Sequence, residues 1–293
     1  MTDARPDPIR EAIARVLGVP AAELRLQGVG GGCVSDTARV HAGGRTAFLK
    51  REPASRGWQL AAEAEGLEAL AAAGALRVPR PLSQDEADGQ AWLLMEYLEI
   101  ERAGDWAAMG RALAATHAAT ADRHGWHRDN ALGGTPQDNT READWALFFR
   151  DRRLRPQLAL AAANGHDGPW LERGARLAER LPSLLDHAPA PSLLHGDFWG
   201  GNAGFCAGRP ATWDPAVHYG DRECDLAMAA LFGGFGPAFR HAYQAEWPLP
   251  PGHELRQELY QLYHILNHLN LFGAAYLGSA RRLIDRLLAA GNG

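Results

Sequence analysis

The sequence predicts an α+β chain of two unequal lobes: a small antiparallel β-sheet lobe over residues 1–98 and a larger helical lobe over residues 99–293. Three observations predict it. Strand-like segments alternate with glycine-rich turns near the start of the chain. Helical patterns dominate after residue 102, with no internal repeat and no low-complexity linker. A stretch crowded with polar side chains, Ser192–Asn202 and then Asp214, interrupts those helices. At 293 residues the chain is long enough to bury a core in each lobe.

The elements follow in order. Residues 8–18 pattern as an amphipathic helix with Ile9, Ile13, Val16 and Leu17 on one face. Strands are expected over Leu24–Gly30, Val34–His41 and Arg45–Arg51, and Ala42, Gly43 and Gly44 close a hairpin between the last two. Gln59–Ala73 is rich in the helix formers Ala, Glu and Leu and stops at Gly74. Pro79 and Pro81 punctuate the approach to an apolar strand, Ala91–Leu98. Helices are expected over 105–120, 141–163, 169–186, 222–232, 253–273 and 278–290. Short strands at Ala203–Cys206 and Ala211–Trp213 flank the turn Gly208, Arg209, Pro210.

Composition narrows the function. A net charge of -5 gives no global reason for nucleic acid or an anionic membrane as partner. No apolar run reaches the roughly 20 residues that span a bilayer, and Met1–Pro8 lacks the apolar core of a signal peptide. A cytoplasmic location is the resulting expectation. The three cysteines, Cys33, Cys206 and Cys224, are too few for a disulfide framework and match no zinc spacing.

The chemistry concentrates in His195, Asp197, Asn202 and Asp214. Polar side chains between apolar Leu193–Leu194 and Ala203–Phe205 are costly to bury unless paired or metal-bound. Their spacing resembles the His-x-Asp-x-x-x-x-Asn loop of protein kinases with its later metal-binding Asp. On that likeness Asp197 accepts a proton from a substrate hydroxyl, and Asn202 and Asp214 hold Mg²⁺ on the phosphates of ATP. His195 supports the loop by hydrogen bonds. Gly196 stands where protein kinases carry Arg, which points to kinases of small molecules. Asp225, at a helix start, caps that helix or braces the catalytic loop.

The N-terminal lobe offers matching parts. Gly28–Ser35 joins two strands, so Gly31, Gly32 and Ser35 are candidates to let backbone N–H groups approach phosphates. Lys50 ends the strand Thr46–Lys50, where a lysine contacts nucleotide phosphates. Its partner is a helix glutamate, Glu63 first and Glu65 second, because residues two apart on a helix point about 200° apart. Glu96 and Leu98, at the end of an apolar strand, are candidate hinge residues for adenine. His264 and His268 lie one helical turn apart without a further metal ligand and read as packing residues.

Narrower motifs carry a family resemblance. Gly31–Ser35, Glu63–Leu67, Val78–Pro81, Asp129–Gly133, Thr135–Asn139, Asp144–Trp145, His195–Asn202 with Trp199 inside it, and Phe232–Phe235 together resemble the fructosamine-3-kinase or ketosamine-3-kinase family. That family is related to aminoglycoside and choline kinases, and the likeness runs over about residues 8 to 290. It implies ATP- and Mg²⁺-dependent phosphorylation of ketosamines at the sugar O3 hydroxyl. The acceptor is ribulosamine, erythrulosamine or fructosamine on free amines or protein lysines, and deglycation follows. It also implies Trp199 as an apolar wall for the sugar. Gln137 and Asn139 either line or support the acceptor pocket, or belong to a structural loop packed on Trp145. Cys33 matches a phosphate-loop cysteine that in some members forms an intermolecular disulfide, so the chain is expected as a monomer or a redox-linked homodimer. Trp213 before Asp214 departs from the pattern in packing more than in chemistry. Two other readings remain: an aminoglycoside- or choline-type kinase, and a catalytically silent nucleotide-binding scaffold.

Overall fold

Strand pairing at the start of the chain follows the alternation of its side chains. In the computed structural model, residues 7–29 and 35–290 are described. Helix α1, Pro8–Leu17, starts at Asp7, whose carboxylate accepts from the N–H groups of Ile9 and Arg10, and stops at left-handed Gly18. Its buried residues are Ile9, Ile13, Ala14 and Leu17, whereas Val16 is 42% exposed. At about 100° per residue the buried arc is centred between Ile13 and Ala14, so Val16, expected on that face, falls at its edge.

Strands β1 (Arg25–Gly28), β2 (Asp36–Ala42) and β3 (Arg45–Pro53) are followed by helix α2 (Gly57–Ala73), then β4 (Pro81–Ala87) and β5 (Gln90–Glu96). They form one antiparallel sheet in the order β1-β2-β3-β5-β4. Strand β4 was not expected from the sequence. Its run Ser83, Gln84, Asp85, Glu86 is polar because it forms the sheet edge, and Pro81 begins it where a missing N–H costs nothing. The buried face of α2, with Leu60, Leu67 and Leu70, packs on Leu93 and Met95 of the sheet and also on Leu193 and Val217. Those last two residues flank the polar loop, so a single apolar cluster fixes the sheet relative to it.

The rest of the chain is mainly helical. Helix α3 (Trp106–His117) precedes a hairpin of β6 (Asn130–Leu132) and β7 (Thr135–Gln137). The segment expected as one helix over 141–163 is instead α4 (Trp145–Phe149), a π-helical turn (Arg150–Leu154) and α5 (Arg155–Ala163). Pro156 accounts for the break, because it has no N–H to continue an α-helical ladder. Likewise 169–186 divides into α6 (Pro169–Glu179) and α7 (Leu181–Leu184), with Pro182 in the first turn of the second. Two small ladders follow: β8 (Ser192–Leu194) pairs with β11 (His218–Gly220), and β9 (Ala203–Cys206) with β10 (Arg209–Thr212). The chain then runs through α8 (Glu223–Leu231), α9 (Pro237–Glu246), α10 (His253–Phe272) and α11 (Leu277–Ala290). Helix α9 was missed because Phe239 and Tyr243 alone form its buried stripe. The main core of this part joins α4, α5, α6, α10 and α11 around Trp145, Phe149, Trp170 and Tyr260. No helix among the described residues is long and apolar enough to cross a membrane.

Candidate active site

The loop between β8 and β9 is held from beneath. Asp225, in the first turn of α8, accepts from the backbone N–H of His195 at 2.7 Å and of Gly196 at 2.9 Å. It also pairs with His117 Nε2 at 3.1 Å, and His117 in turn meets the Tyr243 hydroxyl at 2.8 Å. Asp225 therefore braces the loop rather than capping its helix. His195 is fully buried, and burial first of all lowers its pKa and keeps the imidazole neutral. Its Nδ1 accepts from the Asp197 N–H at 3.2 Å and its Nε2 donates to the Trp213 carbonyl at 3.0 Å. Both ring nitrogens are committed, so His195 is a strut and not a base. Gly196 has φ +81°, and a Cβ there would meet the Ala216 carbonyl oxygen at 2.1 Å. That clash explains why no side chain stands where protein kinases carry Arg.

The four reactive groups converge. Asn202 Nδ2 donates to Asp197 Oδ2 at 2.9 Å and to the Asp197 carbonyl at 3.1 Å, leaving its own side-chain oxygen for another partner. Burial, and then the charge of Asp214, push the Asp197 carboxyl up to about 8, against the pull of the Asn202 amide. Any cation bound at Asp214 removes the Asp214 share of that push. Lys50 Nζ lies 2.6 Å from Glu63 Oε1 and 2.6 Å from Asp214 Oδ1. Burial alone would depress the Lys50 ammonium, but Asp214 and Glu63 outweigh it and raise its pKa. Glu65 points away and pairs with His127 at 2.8 Å and with Arg128, which leaves Glu63 as the Lys50 partner. Asp214 sits at φ +55°, a strained setting for a residue with a Cβ.

Asn202 and Asp214 offer hard oxygen donors of the kind that Mg²⁺ takes, and the Asp214 side chain is 45% exposed. The residues present fit that ion. His187, Asp221 and Glu223 also come within 4.8 Å of one another. There, however, Arg256 holds both Glu223 oxygens at 2.8 and 2.9 Å and Tyr260 donates to Asp221 at 2.6 Å, so that cluster is internally neutralised.

A cleft of about 560 Å³ runs past these groups. One end is polar, with Ser35, Thr37, Lys50, Glu63 and Asp214. The other end is aromatic. Trp199, 37% exposed, meets Phe232 edge-on at 6.1 Å, Phe232 lies 4.8 Å from the His268 ring, and His268 lies 5.4 and 5.1 Å from Phe272 and Tyr276. Gly201 permits this wall, since a Cβ there would strike the Trp199 ring at 2.2 Å.

Several expectations change. Gln137 and Asn139 are buried and absent from the cleft lining. Gln137 donates to the Tyr263 hydroxyl, and Asn139 accepts from Arg153 at 2.6 Å, so both hold the loop while Asn130–Gly133 face the cleft. Glu96 is bound to Arg77 and Leu98 is buried, and neither lines this cleft. Gly31, Gly32 and Cys33 lie outside the described residues. The sequence reading missed the far wall. Its signal was a stripe at four-residue steps, His264, His268, Phe272 and Tyr276, of which only the first two were noticed and then assigned to packing.

The comparisons agree with this geometry. The family model described as "Fructosamine kinase" matches residues 7–290. A relative from Synechocystis sp. named "Probable ketoamine kinase" is 40% identical over 285 residues, covering 96% of each chain. The chloroplastic protein-ribulosamine 3-kinase of Arabidopsis thaliana is 36% identical over 288 residues, covering 96% of this chain and 88% of that one. A solved "putative fructosamine-3-kinase" from Thermobifida fusca superposes with a TM-score of 0.86 at 31% identity, covering 96% of this chain and 99% of the other. The aminoglycoside phosphotransferase APH(4)-Ia, in a ternary complex with ADP and hygromycin B, shares the fold alone, with a TM-score of 0.66 at 16% identity over 98% of this chain and all of the other. Matched by the family model over residues 7–290 and 40% identical to a ketoamine kinase over 96% of each chain, this chain belongs to the fructosamine kinase family.

Proposed function

We propose that the chain transfers the terminal phosphoryl group of ATP to the O3 hydroxyl of a ketosamine, a ribulosamine, erythrulosamine or fructosamine carried on a free amine or a protein lysine. The observation that carries this reading is the position of Asp197, lining the same cleft as Lys50 and Asp214 on one side and Trp199 on the other. The Asp197 carboxylate accepts the hydroxyl proton as the sugar oxygen attacks phosphorus and the bond to ADP breaks. Asn202 keeps that carboxylate oriented through its 2.9 Å hydrogen bond. The Lys50 ammonium, aligned by Glu63, supplies fixed positive charge for the phosphates. Mg²⁺, held by Asn202 and Asp214, would neutralise charge on those phosphates. Trp199 excludes water from one face of the sugar. No side chain needs to carry the phosphoryl group, so transfer is direct.

Support for ATP as donor comes from the ADP complex of the aminoglycoside phosphotransferase that shares the fold. Support for O3 comes from the relative named protein-ribulosamine 3-kinase. With phosphate on C3, loss of a C1 proton gives the 1,2-enaminol, which expels inorganic phosphate from C3, and water hydrolyses the resulting imine to the free amine and a 3-deoxy dicarbonyl sugar; repair of glycated amines is the consequence. The test is coupled ATP turnover on lysine ribulosamine, erythrulosamine and fructosamine beside kanamycin and choline, with mass spectrometry placing the phosphate. Turnover of a ketosamine with phosphate on O3 is expected. Turnover of kanamycin or choline alone, or of no acceptor, would reject the reading.

A further inference from the structure

The aromatic end of the cleft contains a polar side chain that the protein leaves unsatisfied. His264, on α10, is 4% exposed and lines the cleft together with Asp197 and Trp199. Its Nδ1 is buried with no hydrogen-bond partner. His117 and His195 each use both ring nitrogens, whereas Nδ1 of His124 and of His187 is also buried without a partner; what sets His264 apart is its place in the cleft lining. A buried polar atom without a partner costs about 1–3 kcal/mol, which makes such a group unusual unless a ligand uses the side chain.

The ring also borders a second, internal cavity of about 10 Å³ that Arg153 and Gly196 share. Nδ1 is enclosed, and Nε2 makes no hydrogen bond to any described residue, so a ring with its hydrogen on Nε2 can donate it into the cleft. Burial, followed by the neighbouring His268, lowers the His264 pKa to about 3, so the ring is a neutral donor and not a cation. A second unsatisfied group lines the same cleft. Asn130 gives its side-chain N–H to the Val217 carbonyl at 2.8 Å, but its Oδ1 is buried without a donor. Met228, Phe232, Leu271 and Phe272 beside it are apolar, while Trp199, His268 and Tyr276 bring further polar atoms to the same lining. A largely apolar wall that carries an unpartnered polar side chain fits a polyhydroxylated ligand and does not fit a hydrocarbon.

We propose that His264 binds the acceptor sugar, donating its Nε2–H to one sugar oxygen. This rests on the ketosamine reading above. It gives a role to the His264–His268 pair that the sequence reading assigned to packing. The pair sets apart the part of the cleft that identifies the sugar from the part that holds the phosphates.

The experiment measures KM for lysine ribulosamine and for MgATP in the wild type and in His264→Ala, His264→Gln and His264→Asn, with a melting temperature for each. Loss of one neutral hydrogen bond raises the acceptor KM about tenfold in His264→Ala. The MgATP KM stays within about twofold, because that substrate does not meet His264. Glutamine carries an N–H near the place of the imidazole Nε2 and restores most of the affinity. Asparagine, one carbon shorter, does not. An unchanged acceptor KM in His264→Ala, a parallel rise in both KM values, or equal behaviour of the Gln and Asn variants overturns the proposal. If the Ala variant fails to fold, the Gln and Asn pair decides. A wild type inactive on every ketosamine removes the parent reading and this one with it, whereas an active wild type beside an unaffected Ala variant removes this one alone.

Discussion

The two ends of the cleft are built differently. At the polar end, five groups from four segments gather: Lys50 from β3 contacts Glu63 from α2 and Asp214 from the turn after β10, and Asp197 and Asn202 of the β8–β9 loop lie nearby as a bonded pair. The side-chain contacts there are 2.6–2.9 Å long and each involves an ionisable group. At the aromatic end, rings from the catalytic loop, the end of α8, α10 and the turn beyond it stand 4.8–6.1 Å apart and make few directional bonds. Charged contacts demand fixed distances and thus fixed residue types. Apolar walls demand only shape and area. The polar end is suited to one chemistry, and the aromatic end is where acceptor preference can vary without disturbing that chemistry.

Asp197→Asn gives the largest effect and the strongest test of that division. The amide keeps the size of the carboxylate and a partner for Asn202, but it cannot take the hydroxyl proton. Turnover should fall about 10²- to 10⁴-fold with every acceptor, while nucleotide affinity measured by calorimetry changes little. A loss that depends on the acceptor would break the comparison, because the polar end would then also be choosing the sugar.

Lys50→Met comes next. It removes the ammonium from between Glu63 and Asp214, both 2.6 Å away, and leaves two carboxylates facing a buried apolar chain. The expected result is a fall of about 10²-fold in kcat/KM for ATP, by the same factor with each acceptor. The melting temperature also drops, since an unpaired buried carboxylate is costly. Steady-state kinetics at saturating acceptor and a thermal melt check both parts.

The same contrast explains what was legible in the sequence. His195, Asp197, Asn202 and Asp214 were readable because a loop of fixed length leaves only a few spacings at which those groups can meet. The Lys50–Glu63 pair was readable because a strand lysine ahead of a helix has that helix's glutamates as its nearest partners; Lys50 lies inside β3 rather than at the strand end expected, and the helical angle showed that Glu63 and Glu65 are not equivalent without choosing between them. Gly196 was noticed but not explained; its reason, the Ala216 carbonyl 2.1 Å from a would-be Cβ, is a tertiary contact. The far wall was readable only in part. Phe272 continues the His264–His268 stripe within α10, but Tyr276 lies beyond Gly273, where the helix ends, so periodicity alone gave no warrant for extending the stripe that far. For Gln137 and Asn139 two readings stood open, lining the pocket or supporting its loop, and their burial and hydrogen bonds fit the supporting one. The family motif identified the hairpin without telling which side chains met the cleft. Edge strand β4 went unseen because the polarity that protects an edge also hides it from a search for apolar alternation.

Trp199→Leu carries the smallest effect and sharpens the comparison from the other side. The ring is 37% exposed and touches Phe232 edge-on, so replacing it removes little of the protein's own core and the melting temperature should hold. What it removes is aromatic area over the acceptor. An aromatic contact contributes about 0.5–1.5 kcal/mol beyond the area it buries, so the acceptor KM should rise about three- to tenfold. The KM for MgATP should not move. The size of the rise should also differ among lysine erythrulosamine, ribulosamine and fructosamine, because each presents a different length of sugar to the wall. If all three rose by the same factor, Trp199 would be acting on the reacting carbon common to them, and the aromatic end would share the chemistry of the polar end instead of selecting what reaches it.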